Sequence, residues 1–547
     1  MLNRNSQNDQ AAEAERIAAL MPEDDLRAPQ ENGASLIVPA IEDVPELVRE
    51  NRRLAEEFDY DLQGKRLSEV AALARRELIA GARRWTSAYR EVPSRVPAAD
   101  SSIFLAGHQP QMFHPGVWFK NFALGAIAAH HRATAINLII DDDVFASASL
   151  RVPGGSLAAP RVLPIAMDRP EPKVAYEERK IEDRAMFASF GRRVTEQIRP
   201  LVANPLIEEF WPMVQRRADE TDNLGACIAQ GRHQLEATWG LHTLEVPQSE
   251  VCRGEAFQWF IAHLLARLAD FREVYNTAIR EYRRLHRIRS TSHPAPELAQ
   301  EGDWLEAPLW VWTVENSRRR RLFVRRRAEE LIVSDRQAWE AVLPLSEERD
   351  GAPAVARLLE LQHNNVRIRP RALITTLWAR LVLGDLFIHG IGGAKYDRVT
   401  DVLMERFFGR RAPGLMVVTA TLLLPVEHAD SAAEEQRTIA AELRGLAFHP
   451  ERFLDGVQKR PASLIAEKRR WIKTAQTREN ARQRCRTIRS VNEALQPWLE
   501  DRRKRLEERQ SQLAQRIEAE RVLGSREYAF VLYPEDALRR FLAVRSG

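Results

Sequence analysis

Ile103-Phe104-Leu105-Ala106-Gly107-His108-Gln109-Pro110-Gln111-Met112-Phe113-His114-Pro115-Gly116 is the stretch whose reading decides the fold. Its first four residues form a short apolar run, as a strand buried on both faces requires. Gly107 to Gly116 then reads as a loop and Val117 to His131 as a helix. Ala135-Ile136-Asn137-Leu138-Ile139-Ile140 is a second buried strand, closed by Asp141-Asp142-Asp143. Strand, loop, helix and strand at these lengths make a βαβ unit, which implies a parallel sheet. The fold class expected is α/β, with a parallel-sheet core.

Working outward, residues 1 to about 35 read as a disordered lead-in, and Val44 to Tyr89 as helical. A Pro-, Ser- and Ala-rich loop from Val92 to Ser102 follows. Val162 to Met167 is a third strand candidate. Residues 175–290 read as mainly helical, with Phe257, Phe260, Ile261 and Leu264 on one face. Leu309 to Val333 suggests a small antiparallel insertion. Beyond it, Ala372 to Leu383 is expected as a helix, Leu386 to His389 as a strand, Tyr396 to Phe407 as a helix and Leu415 to Leu424 as a strand. Lys459 to Arg521 is a long charged helical region. Leu499, Leu506 and Leu513 repeat in it every seven residues, and Pro497 can break it into two antiparallel helices. The expected organisation is an N-terminal lead-in and helices (1–100), a catalytic core (101–455) with an insertion at about 175–345, a helical coiled-coil arm (456–525) and a C-terminal segment (526–547) packed back on the core.

The Gly107–Gly116 loop sits where open α/β sheets bind ligands, at the carboxyl end of a parallel strand. A helix N-terminus there offers free N–H groups and a positive dipole end to phosphate. Pro115 suits the first helical position, and His108 and His114 flank the place a phosphate would rest, as donors to a developing charge. This is the logic of HIGH-type nucleotidyl transfer. The carboxylates of Asp141, Asp142 and Asp143 are expected to face the same crevice, for ribose hydroxyls, a substrate ammonium group or Mg²⁺. His389-Gly390-Ile391-Gly392-Gly393-Ala394-Lys395-Tyr396-Asp397 is a second strand–helix turn whose glycines admit close backbone approach. A His–Asp transition-metal site is the weaker alternative, since no ligand pair has helical i, i+4 spacing, and no residue is assigned to a metal.

These residues resemble the bacillithiol-biosynthesis cysteine-adding enzymes (the BshC family of cysteine ligases). Gly107-His108-Gln109, Phe113, Pro115-Gly116 and Trp118-Phe119-Lys120 stand where that family has a Gly-Gln-Gln-type loop and an aromatic–Lys helix start. Ile140 to Phe145, Arg369-Pro370, the Ile388–Tyr396 turn and Glu527 to Leu532 keep the family's order along the chain. The resemblance spans most of residues 100–547. It implies a HUP-type Rossmann-like core with helical insertions, a C-terminal antiparallel helical coiled-coil arm and an adenine-nucleotide (ATP/ADP) site. The implied reaction is amide formation between cysteine, or a similar amino acid, and an amino-sugar conjugate. His108 replaces the family's usual Gln, and Lys395 its usual Glu. Gln111 to Gly116 partly echoes the Gln-Pro-Phe-His-x-Gly-His loop of nucleotidyltransferases.

Together these readings assign catalysis to His108, His114, Asp142 and Asp143. Nucleotide binding falls to Gly107, Gln109, Gly116, Lys120, Gly392, Gly393 and Lys395, and substrate binding to Asn121, Asp141, Arg369, His389, Tyr396 and Asp397. The alternatives are a nucleotidyltransferase of the same fold and a non-catalytic protein whose basic arm binds an anionic partner.

Composition bounds the rest. The 547 residues carry 81 Lys and Arg against 77 Asp and Glu, a net +4, which argues against a nucleic-acid partner for the chain as a whole. Between Lys459 and Arg526, however, 19 basic side chains face 9 acidic ones, a local +10 that leaves −6 for the remainder. No apolar run of about 20 residues offers a membrane span, and Met1 to Gln10 does not read as a secretory signal. The three cysteines are far apart, without C-x-x-C spacing. The expectation is a cytoplasmic enzyme with small-molecule substrates and no membrane partner. An arm with one apolar stripe adds the expectation of a homodimer.

Overall fold

In a computed structural model, which describes residues 26–92, 101–170, 173–428, 432–454 and 461–543, the chain is a mixed α/β protein with parallel and antiparallel pairing. The lead-in up to residue 25, most of the Val92–Ser102 loop, the first residues of the arm and the last four of the chain lie outside the described residues. The central sheet has six strands: β1 (Ser35–Val38), β2 (Ile103–His108), β3 (Thr134–Ile139), β4 (Leu244–Pro247), β5 (Leu386–His389) and β6 (Met416–Ala420). Their spatial order is β1-β6-β5-β2-β3-β4, with β2 to β6 parallel and β1 antiparallel at the edge.

Continuous apolar runs let both faces of this sheet be buried, as parallel sheets require. Ile103 and Leu105 of β2 pack on α1 (Leu67–Ser87) and α4 (Glu255–Ala266), whereas Phe104 and Ala106 face α2 (Pro115–His130) and lie in a core shared with α3 (Leu224–Thr238). α5 (Ile391–Phe407) joins the first layer through Val399, Val402 and Leu403. The expected βαβ unit of β2, α2 and β3 is present at the predicted place.

Several expectations need correction. Val162 to Met167 contributes a strand, Ala159–Ala166, but it pairs only with Ser149–Ser156 in a separate hairpin. Two core strands went unread. β1 lies at the end of the supposed lead-in. β4 is four residues long and carries Glu245, which breaks the apolar signal because its carboxylate is buried against Arg232. The antiparallel insertion is real but larger, with Trp304–Thr313, Arg320–Arg327, Glu330–Ser334 and Glu340–Leu343 joined by Val366–Pro370. Arg369-Pro370 thus ends a strand of this second sheet.

The charged C-terminal region forms α7 (Ala462–Lys473), α8 (Ala481–Ala494) and α9 (Glu500–Leu523), and the chain does turn at Pro497. α7 packs on α8, but α9 does not fold back on either. It runs antiparallel along α6 (Ala432–Phe448), a helix the sequence reading did not place. Leu513 meets Ile439, Leu499 meets Leu446, and Arg502 and Arg509 pair with Glu442 and Glu435. Among the described residues the leucine seam is therefore filled within the chain, which covers the stripe on which the homodimer expectation rested. Among the described residues no helix is long and apolar enough to cross a membrane.

Candidate functional site

From β2 the chain moves to β3 and β4 on one side of the sheet and then returns to β5 and β6 on the other. The carboxyl ends of β2 and β5 are the point where strand order reverses, and there a crevice opens in such sheets. A cavity of about 520 Å³ occupies this place, lined by Gly107, His108, Gln109 and the start of α2 on one side and by His389 to Gly393 on the other. Its size falls within the usual range for small-molecule sites.

On the β2 side, Pro115 opens α2 and His114 caps it, its Nδ1 accepting the Gly116 N–H at 3.1 Å. An accepting Nδ1 leaves the proton on Nε2, which sits 3.8 Å from Glu527 Oε2. Burial pushes the His114 imidazole down to about 4, against the pull of Glu527. Gly116 is required: a Cβ there would overlap the Ala420 carbonyl oxygen at the end of β6. The His108 ring stands edge-on to Phe113 at 5.0 Å, and burial with the nearby Lys120 charge pushes it down to about 3. Both histidines are neutral at pH 7.

Lys120 is the main electrostatic feature. Only 3% of it is exposed, its Nζ donates to the Gly107 carbonyl at 2.6 Å, and among the described residues it has no carboxylate partner. Burial, with Arg232 nearby, pushes it down to about 8. A second cation, Arg526, enters from the C-terminal segment and is fixed by Thr419 and Thr421, each at 3.1 Å. Opposite, Gly390 begins α5 with no side-chain cap, so the first N–H groups of that helix also open on the cavity. Two helix N-termini and two cations converge on one space, and the carboxylate on its wall, Glu527, is 67% exposed.

His389 ends β5 with Nε2 3.2 Å from Asp397 Oδ2. Asp397 also accepts from Thr376 at 2.5 Å and Arg380 at 2.6 Å. Burial works to raise this carboxyl, but Arg380, His389 and Thr376 overcome it and hold it well below the ordinary range. Asp397 therefore stays ionised and orients His389, leaving Nδ1 on the side of Gly393, where a Cβ would come within 2.6 Å of it. Tyr396 lines the same cavity.

The structure thus brings together Gly107, His108, Gln109, His114, Gly116, Lys120, His389, Gly392, Gly393 and Tyr396, with Asp397 behind them. It does not bring the rest. Asp141 caps the turn at Ser249 with both oxygens (2.9 and 2.5 Å). Burial and Glu177 push it up to about 7. Asp142 is buried beside it, raised well above the usual range by burial and by Asp141. Asp143 reaches the cavity only through Gln109, whose Nε2 it accepts at 3.0 Å, and also faces Arg319. The expected acidic wall fails because the chain after β3 turns under the 248–251 helix instead of into the crevice. Asn121 points the other way and donates to Glu236 at 3.1 Å. Arg369 is fully buried in a two-bond pair with Glu177 (2.8 Å each). Lys395 is exposed and off the cavity wall. Gly392 and Gly393 lie inside the first turn of α5, which starts at Ile391, five residues before the expected helix start.

Sequence reasoning missed Arg526, Thr375, Thr376 and Thr419. Arg526 was hidden among the arm's many arginines, and only its place beside Glu527, just past the last helix of the arm, could have marked it. The donor set does not fit a protein-held Mg²⁺, because Asp141 is spent on Ser249 and Asp143 on Gln109 and Arg319, and neither carboxylate lines the cavity. His233, Glu236 and Glu245 do cluster at metal-ligand spacing, but Arg232 already bonds both carboxylates and Tyr89 the imidazole.

The fold and site define an α/β protein with a cleft at the switch point of its sheet, lined by Lys120, Arg526 and Glu527. Comparison of the chain with family models and with curated proteins finds no match.

Proposed function

We propose that this cleft binds the phosphates of an adenine nucleotide on a Rossmann-like core, and that the protein is a BshC-like ligase joining an amino-acid carboxylate to the amine of an amino-sugar conjugate. One observation carries the reading: Lys120 is a buried cation without a carboxylate partner among the described residues, and it faces the same cavity as Arg526 and two helix N-termini. A buried charge costs several kcal/mol unless paired, so the arrangement is poised for an anionic ligand. Lys120 and Arg526 would hold phosphate oxygens, with the N–H groups of α2 and α5 completing the cradle. His114, neutral with its proton on Nε2, would donate to a phosphoryl oxygen as charge develops.

Amide formation at neutral pH needs an activated carboxylate. In the proposed reaction a carboxylate oxygen bonds to the nucleotide's α-phosphorus as pyrophosphate leaves, and the amine then displaces AMP at the carbonyl. His389 Nδ1, aligned by Asp397, would take the proton the amine loses. The three free thiols are compatible with the cytoplasmic setting this chemistry expects. The second reading, a nucleotidyltransferase on another metabolite, is favoured by His114 at the start of α2, and it ends in a stable nucleotidyl product without amide.

The test is calorimetric titration with ATP, AMP and adenosine, followed by ATP–pyrophosphate exchange with a panel of amino acids. Tight binding of ATP, weak binding of adenosine, and loss of both binding and exchange in Lys120→Met are expected. Equal affinity for adenosine and ATP, or undiminished binding by Lys120→Met, overturns the reading.

A further inference from the structure

The far end of the arm carries a group of exposed cations without carboxylate partners among the described residues. In the body and in the α6–α9 pair, arginines are mostly matched: Arg502 with Glu442, Arg509 with Glu435, Arg521 with Glu518, and even the arginine-rich hairpin through Arg320–Asp335, Arg321–Glu306 and Arg326–Glu347. Across residues 461–494, nine basic side chains face three acidic ones. Lys468 is buried on Glu451. Arg469, Arg470 and Lys473 of α7 and Arg482, Arg486 and Arg489 of α8 are all exposed, and among the described residues none has a carboxylate partner.

Their spacing is ordered. Arg482, Arg486 and Arg489 follow the i, i+4, i+7 pattern that puts them on one face of α8, about 6 Å apart along the axis for the first pair. Arg469 and Lys473 stand in the same relation on α7, which packs beside α8. Six unmatched cations on two adjoining helices repel one another, and they lower stability unless something anionic joins them.

We propose that the α7–α8 tip is a docking surface for the phosphodiester backbone of a nucleic acid, bound without base sequence preference. Three features select this partner. The tip is rich in arginine, whose planar fork matches phosphate oxygens two at a time. The exposed face of α8 also carries Gln483, Cys485 and Ser490 and no large apolar side chain, so it lacks the apolar stripe with which amphipathic helices enter a bilayer. A regular array of cations suits a ligand of regularly repeated charge better than a folded acidic protein. The near-neutral balance of the whole chain conceals this surface, because the body offsets it.

The experiment is fluorescence anisotropy of the full chain with a labelled 20-nucleotide RNA and a matching DNA, from 50 to 200 mM KCl. Five phosphate contacts on a single strand predict a log–log slope near −3.5, so about a 100-fold loss of affinity over that range. Arg482→Gln/Arg486→Gln/Arg489→Gln removes three contacts and lowers the slope by about 2, with a thermal midpoint no lower than that of the wild type, because the change relieves repulsion and breaks no ion pair. Ile472, 48% exposed on α7, makes anionic phospholipid vesicles the necessary control. Tighter binding to vesicles or to poly-glutamate than to RNA overturns the proposal, as does RNA binding that the triple variant retains or that ignores salt.

Discussion

Replacing Lys120 with methionine is expected to make the ligand-free protein more stable at pH 7, an unusual outcome for a buried residue. The magnitude follows from the ammonium held down at about 8 against an ordinary value of 10.5. A pKa unit is worth about 1.4 kcal/mol, so carrying the charge inside costs the folded state roughly 3 kcal/mol at pH 7. The sign is that of a depressed base. The unfolded chain binds the proton more readily, so the penalty is complete below pH 8 and fades as pH rises towards 10.5. Methionine fills similar volume without the charge, and loss of the bond to the Gly107 carbonyl gives back about 1 kcal/mol. A net gain of about 2 kcal/mol at pH 7 should vanish by pH 10. Urea unfolding at both pH values measures it. Saturating ATP then reverses the order, because at a hundredfold excess over Kd it stabilises the wild type by about 2.7 kcal/mol and has little hold on the variant. A variant less stable than wild type by the same amount at both pH values would refute the reasoning, as would equal stabilisation of the two proteins by ATP.

Three further outcomes are expected. Gly116→Ala should cost at least 3 kcal/mol in chemical denaturation, since its Cβ overlaps the Ala420 carbonyl, whereas Gly392→Ala meets nothing within 4 Å and should leave stability level or up by about 0.5 kcal/mol while weakening ATP binding in calorimetry. Asp397→Asn should lower stability by about 3–5 kcal/mol, read from the urea midpoint, because the buried Arg380 loses part of its counter-charge; His389→Gln should spare the fold and ATP affinity but abolish amide formation. Leu513→Ala, at a fully buried seam position, should cost about 2–4 kcal/mol and raise amide exchange in α6 and α9 while leaving β2 to β6 protected.

The parts of the fold legible in the sequence are those where local pattern and tertiary role agree. β2, α2, β3 and β5 were readable because continuous apolar runs beside a Pro-started helix have one good interpretation. β4 was not, since its Glu245 makes sense only once Arg232, thirteen residues away, is folded against it. The site divides the same way. The two strand–helix turns announced themselves through His and Gly after an apolar strand, with Pro115 added at the first. Asp141 to Asp143 misled, because neighbouring strand ends share a side of the sheet but not the direction of the turn that follows. Asn121 and Arg369 are polar residues spent on buried carboxylates, and sequence alone does not separate these from ligand-binding ones. The heptad in α9 was visible, yet the identity of its partner helix depended on contacts with a segment some 70 residues upstream.

The two threonine bonds that fix Arg526 join positions 105 and 107 residues apart. Between them run α6, α7, α8 and α9, so the cleft is closed by a residue that leaves the ribosome only after all four helices have been made. A chain clipped after α9 would lose Arg526 together with Phe530 to Tyr533, which fill the core shared by β2 and α2. The cleft that we propose as an anion site therefore draws its second cation from the segment that follows the arm.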